Sequence, residues 1–186
     1  ATNQGKPCSY FPTDETFHLD IKKFILHVRN SGANCVVIVN PNNPTGSLIP
    51  QNDIFQLLGA LKDLDLVIVD ESFLEFSDAF PNASIIDYLD SYPNLLVIKS
   101  LSKVYGIPGL RLGYAISSNE VIINSIRQEI PIWSINSLGQ YFVEELGKYT
   151  EQFNKSCDQV REATQSLFAG LEEIPFLHPY PTQGNF

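Results

Sequence analysis

A chain of 186 residues is long enough for one α/β domain with a sizeable core, or for a domain and part of a second. With 44% hydrophobic and 18% charged residues, and no low-complexity tract or internal repeat, the composition is that of a globular protein. The formal net charge of −9 argues against a nucleic-acid or anionic-membrane surface, but it leaves room for a local anion pocket.

Cys8, Cys35 and Cys157 are odd in number and widely spaced. They indicate neither a disulfide framework nor a zinc site, and a reducing cytoplasm is the expected compartment. No apolar run approaches bilayer length, and the first residues carry no basic-then-apolar signal pattern. The chain starts without Met and closes on Gly184-Asn185-Phe186, just after turn chemistry at Pro179-Tyr180-Pro181. It therefore reads as a fragment cut before its next element.

In chain order, Asp20 is the expected N-cap of a helix whose apolar face is Ile21, Phe24, Ile25 and Val28. Cys35-Val36-Val37-Ile38-Val39 is a β-branched run, as expected of a strand buried on both faces of a parallel sheet. It stops at Asn40-Pro41-Asn42-Asn43-Pro44-Thr45-Gly46, where two prolines and a glycine impose a loop of preset shape. Pro50 opens a second helix with Ile54, Leu57, Leu58 and Leu61 on one face. Leu66-Val67-Ile68-Val69 is the next strand, ending on Asp70-Glu71-Ser72, and Leu95-Leu96-Val97-Ile98 is a third.

That third strand leads into Ser100-Leu101-Ser102-Lys103, read as a loop, then two glycines, then Arg111. A lysine next to two hydroxyls, with an arginine eight residues on, suggests an amine nucleophile beside an anion site. Leu112-Gly113-Tyr114-Ala115-Ile116 reads as a fourth strand. Beyond Asn119 the pattern is helical, first over 119–129 and then from Asn136 to Gly170 with a kink at Gly147. The proline-containing tail from Ile174 looks like the entry to a further part. Strands alternating with helices give an α/β sheet, and ligands collect at the carboxyl ends of such strands. Asn43, Asp70 and Lys103 each stand at a strand's end, so all three are expected at one edge.

Together, the Asn-Pro-Asn-Asn-Pro-Thr-Gly loop, Asp70, the Ser-Leu-Ser-Lys to Gly-Leu-Arg-Leu-Gly-Tyr segment and the closing Gly-Asn-Phe are similar to the fold-type-I pyridoxal-phosphate enzymes. Within the class I/II aminotransferase superfamily, the chain resembles the branch containing histidinol-phosphate aminotransferase and threonine-phosphate decarboxylase. The resemblance implies a three-layer αβα, mainly parallel sheet, with residues 1–148 as an incomplete large domain. Residues 149–186 would be an interdomain helix and the start of a small C-terminal domain.

It implies pyridoxal 5′-phosphate as cofactor and Lys103 as both the Schiff-base lysine and the acid/base at the substrate Cα. Asp70 would pair with the pyridine nitrogen, Asn43 would donate to the phenolic oxygen, and Ser100, Ser102 and Arg111 would bind the phosphate. The implied reaction is amino transfer on an amino acid or amino-alcohol phosphate, with decarboxylation of a phosphorylated amino acid as the alternative. The family's sites are built across a homodimer interface, so a homodimer is expected of the full protein, with no nucleic-acid or membrane partner.

Two departures stand out. Where the family's aminotransferases often carry a tyrosine three residues after the aspartate, this chain has Phe73. With Pro131-Ile132-Trp133-Ser134-Ile135-Asn136, that feature resembles the decarboxylase side. The upstream phosphate-binding turn, the ring-stacking aromatic and the downstream carboxylate-binding arginine are expected outside this chain, which alone is expected to be inactive.

Other readings compete. Ser100 to Lys103 fits Ser-x-x-Lys, but the Ser-Asp-Asn and Lys-Thr-Gly motifs that accompany it in penicillin-binding enzymes are absent. No Gly-x-Gly-x-x-Gly follows a strand, and His18, His27 and His178 lie too far apart for a local metal motif. A module that kept the fold and lost turnover is the non-enzymatic alternative.

Overall fold

The computed structural model describes residues 7–186. Helix α1 (Ile21–Ser31) starts where Asp20 accepts the Lys23 amide and ends at Gly32, whose φ of +66° gives the left-handed cap that glycine adopts without strain. It leads to β1 (Cys35–Val39), α2 (Gln51–Ala60, N-capped by Pro50) and β2 (Leu66–Asp70). The β2 to β3 crossover has no α-helix; it is built from 3₁₀ turns at Leu74–Phe76 and Ile86–Ser91. Strand β3 (Leu95–Ser100) then passes into the one-turn helix α3 (Leu101–Val104), so Ser100 to Lys103 is a strand end and a helical turn, not the expected loop.

Strand β4 (Gly113–Ile116) completes a sheet ordered β1-β2-β3-β4. The first three strands are parallel, and β4, reached through α3 and a 3₁₀ turn at Pro108–Leu110, runs antiparallel to β3. Helix α4 (Glu120–Glu129) follows the Asn119 cap. The expected kink near Gly147 is a 3₁₀ turn at Leu146–Tyr149 between α5 (Ser137–Glu145) and α6 (Thr150–Glu172). No helix among the described residues is long and apolar enough to cross a membrane.

Strand register divides the side chains into two faces. Val36, Ile38, Val67, Val69, Leu95 and Val97 point into a cluster with Ile21, Val28, Ile54, Leu57, Leu58 and Leu61 of the first two helices. Each such side chain contributes about 1.5–3 kcal/mol relative to an exposed one. The opposite face carries Val37, Ile68, Asp70, Leu96, Ile98 and Ala115. The expectation that β1 is buried on both sides is corrected here: Cys35 and Val37 are exposed, because the cluster that buries Val36 and Ile38 lies on one side only.

The tail returns to the carboxyl edge of the sheet. The Gln183 amide donates to the Gly46 carbonyl at 2.7 Å, and the Gln183 Oε1 accepts from Ser77 Oγ and from the Asp78 amide. Gly46 has a φ of +70°, and a Cβ there would stand 2.0 Å from Thr182 Oγ1. The glycine of the Asn-Pro loop thus makes room for the tail.

Candidate functional site

A cavity of about 410 Å³ lies at the carboxyl edge of the sheet on the open face. Asp70, Ser100, Ser102 and Arg111 all line it, with Ser72, Ile98 and Tyr114. Four residues selected from the sequence are thus brought together by topology. Asp70 ends β2, Ser100 ends β3, Ser102 is in α3, and Arg111 follows the 3₁₀ turn that leads into β4.

Asn43 and Lys103 are at the same edge but outside that lining. Asn43 is exposed in its turn. Lys103 is also exposed, with its Nζ 6.0 Å from the centroid of the Phe73 ring. Phe73 in turn meets Phe186 edge-on, centroids 4.9 Å apart, so the tail supplies an aromatic wall near the lysine.

Arg111 has a φ of +57° and donates from Nη1 to the Pro108 carbonyl at 3.2 Å. An arginine in the left-handed region costs about 1–2 kcal/mol, a strain of the kind that concentrates at functional sites. The conformation could not be read from the sequence.

Sequence reasoning also missed Ser72. Its amide donates to Asp70 Oδ1 at 2.9 Å, and its Oγ accepts the Ser100 amide at 2.9 Å. The signal available was the polar triplet Asp70-Glu71-Ser72 at the end of β2.

Behind this edge, on the covered face, Lys99 Nζ lies 2.7 Å from Glu75 Oε1 and 3.9 Å from Glu71 Oε2. Glu71 accepts from the Ile85 amide and from Ser84 Oγ. Burial nevertheless pushes its carboxyl above the ordinary range. The phenol of Tyr114 is likewise raised, by burial first and then by the charges of Glu75 and Glu71.

The cavity is thus lined by one carboxylate, Asp70, and by hydroxyl and guanidinium donors, Ser100, Ser102 and Arg111, a set able to hold an anion that also carries a proton donor. Residues 1–186 match the family described as aminotransferase class I and II. The chain belongs to that family.

Among its relatives, the chain is 39% identical over 170 residues to a CMP-5'-(3-aminopropyl)phosphonate synthase of Streptomyces rubellomurinus, covering 91% of this chain and 27% of that one. It is 33% identical over 183 residues to the histidinol-phosphate aminotransferase of Clostridium novyi, covering 98% of this chain and 49% of that one. The solved structure of a decarboxylase from Sulfurospirillum multivorans superposes with a TM-score of 0.85 at 29% identity, covering 94% of this chain and 51% of that one. The chain thus spans about half or less of the length of these relatives.

The fold is that of the pyridoxal-phosphate-dependent transferases, and pyridoxal phosphate is the family's cofactor. The donor set around the cavity fits it. The family's enzymes are of aminotransferase and decarboxylase type.

Proposed function

We propose that the full protein is a pyridoxal-phosphate-dependent aminotransferase acting on an amino acid or amino-alcohol phosphate. The observation that carries this is the meeting of Asp70 with Ser100, Ser102 and Arg111 around one cavity. Residues 1–148 would belong to the large domain and 149–186 to the interdomain helix and the start of the small one. We expect a homodimer, and the exposed Ile132, Trp133 and Ile135 are apolar surface that such an association would cover.

When bound, pyridoxal phosphate supplies an aldehyde that captures an amine and a ring that accepts the electrons of a broken Cα bond. The chain's own residues have separable tasks. Asp70 would accept from the ring nitrogen and keep its proton in place. Ser100, Ser102 and Arg111 would hold the phosphate, the guanidinium by charge-assisted bonds. Asn43 would donate to the phenolic oxygen. Lys103 Nζ would hold the cofactor and carry the proton taken from the substrate Cα.

Decarboxylation of a phosphorylated amino acid is the second reading. It is favoured by Phe73, by residues 131–136 and by the likeness to the Sulfurospirillum decarboxylase.

Borohydride reduction of the full-length protein with pyridoxal phosphate, followed by peptide mapping, tests the site. A pyridoxyl adduct confined to Lys103 and absent from Lys103→Ala is expected, and an unmodified Lys103 in folded protein rejects the assignment. Incubation with histidinol phosphate or threonine phosphate then separates the reactions. A product that requires a keto acid supports transfer, and carbon dioxide without an acceptor supports decarboxylation.

A further inference from the structure

The backbone ladder between β2 and β3 ends where the Glu71 amide donates to the Ile98 carbonyl, at 3.0 Å. Past that point the chain after Asp70 turns away toward the 3₁₀ turn at Leu74–Phe76, while β3 continues for two residues to Ser100. The Ser100 amide therefore has no β2 carbonyl opposite it. An N–H left without a protein acceptor at this half-buried position is unfavourable, and a side chain can stand in for the missing carbonyl.

Ser72 supplies it. The side chain is buried, and its Oγ accepts the Ser100 amide at 2.9 Å. On the other side of Ser100, β4 pairs through Gly113, and the next amide, Leu101, donates to the Leu112 carbonyl at 3.1 Å. Ser100 is thus held from both flanks, by a backbone strand on one and by a single hydroxyl on the other.

The same residue fixes the neighbouring acid. The Ser72 amide donates to Asp70 Oδ1 at 2.9 Å, closing a short turn that orients the carboxylate. One residue therefore ties the carboxylate of Asp70 to the strand end at Ser100.

We propose that Ser72 is a positioning residue that sets the span between Asp70 and the Ser100-Leu101-Ser102 segment, and so the grip on the cofactor's phosphate. The inference rests on the cofactor reading above. The two hydrogen bonds come from different atoms of Ser72, and this makes the claim separable. Replacing the side chain removes the tie to Ser100 and leaves the backbone tie to Asp70 in place. The loss should be felt at the phosphate and not at the ring.

The test uses the full-length protein as Ser72→Ala and as Ser72→Cys. The second keeps the side chain's connectivity but offers sulfur, larger and a weak acceptor, and it serves if the alanine variant does not fold. Dissociation constants are measured from cofactor absorbance for pyridoxal phosphate and for pyridoxal, which has the same ring and aldehyde without the phosphate.

The expected result is a roughly 2- to 10-fold weaker pyridoxal phosphate affinity, the equivalent of one lost hydrogen bond, with pyridoxal affinity unchanged. Equal weakening of both, or of neither, overturns the proposal. If the wild-type protein binds neither compound, the cofactor reading itself fails, an outcome distinct from a wild type that binds both and a variant that does not discriminate.

Discussion

Lys99 and Glu75 form an ion pair inside the protein, Nζ to Oε1 2.7 Å, with side chains 4% and 10% exposed. Glu71 stands 3.9 Å from the same ammonium, so two carboxylates share one cation. The second oxygen of Glu75 has no hydrogen-bond partner among the described residues, and the Lys99 amine sits 5.8 Å from the Phe80 ring centroid. Removing the cation would leave both acids in a medium that solvates them poorly. Lys99→Met is therefore expected to cost about 3–5 kcal/mol. Urea unfolding of the full-length protein measures this, and a cost below about 1 kcal/mol would show that the pair does not hold the edge together.

Glu71 gives the pH dependence of the same cluster. Burial raises its pKa, against the Ile85 amide, the Ser84 hydroxyl and the Lys99 charge, which lower it. A carboxyl with a folded pKa above its unfolded value binds its proton more tightly when folded. Its stabilising contribution is complete at acid pH and is lost as pH rises from about 4.3 toward the folded value. Glu71→Gln keeps an acceptor for the Ile85 amide and does not ionise. The stability of the variant relative to wild type should therefore climb as pH rises from about 4, then level off. Urea midpoints across that range decide it, and a difference that falls with pH is the contrary result.

The elements above were legible because each has a local cause. The α1 cap at Asp20, the Pro50 start of α2 and the β-branched runs of β1, β2 and β3 all follow from residues a few positions apart. Asn43, Asp70 and Lys103 are expected together because a parallel sheet sends its strand ends to one edge, and of these Asp70 lines the cavity. Ser100, Ser102 and Arg111, which line it too, are selected as anion donors by residue type and by the resemblance. What the sequence did not disclose depends on distant pairs. The Gln183 link to Ser77 spans more than a hundred residues, and no periodicity reports it. The crossover between β2 and β3 also lacks a helical signal because its 3₁₀ turns bury Leu74, Phe76 and Leu89 without a sustained period. Lys99 reads as one more polar residue at a strand end until the register puts it on the covered face with Val97.

Arg111 combines a charge needed for an anion with a backbone conformation that arginine adopts at a cost. The two can be separated by substitution. Arg111→Gly should leave the stability of the cofactor-free protein unchanged or raise it by up to about 1 kcal/mol, since glycine tolerates positive φ. The same change removes the guanidinium, and pyridoxal phosphate affinity should fall by about 10- to 100-fold. Arg111→Lys should fall between, keeping the charge but not the paired donors. Thermal unfolding without cofactor and absorbance titration with it give the two numbers. A destabilised glycine variant would contradict the strain assigned to this position.

Phe73 lies beside Lys103 and against Phe186, three residues after Asp70 and without a hydrogen-bonding group of its own. A tyrosine there would add a donor beside the lysine. If that hydroxyl reaches the cofactor's phenolic oxygen, it stabilises the anionic form and makes the adjoining proton easier to lose. Phe73→Tyr is thus expected to lower the pKa read from the cofactor's absorbance, and the wild-type protein should titrate at the higher pH. The experiment is a pH titration of both proteins loaded with pyridoxal phosphate. Coincident curves would mean that position 73 faces Phe186 and the tail without acting on the ring, and its aromatic character would then belong to packing alone.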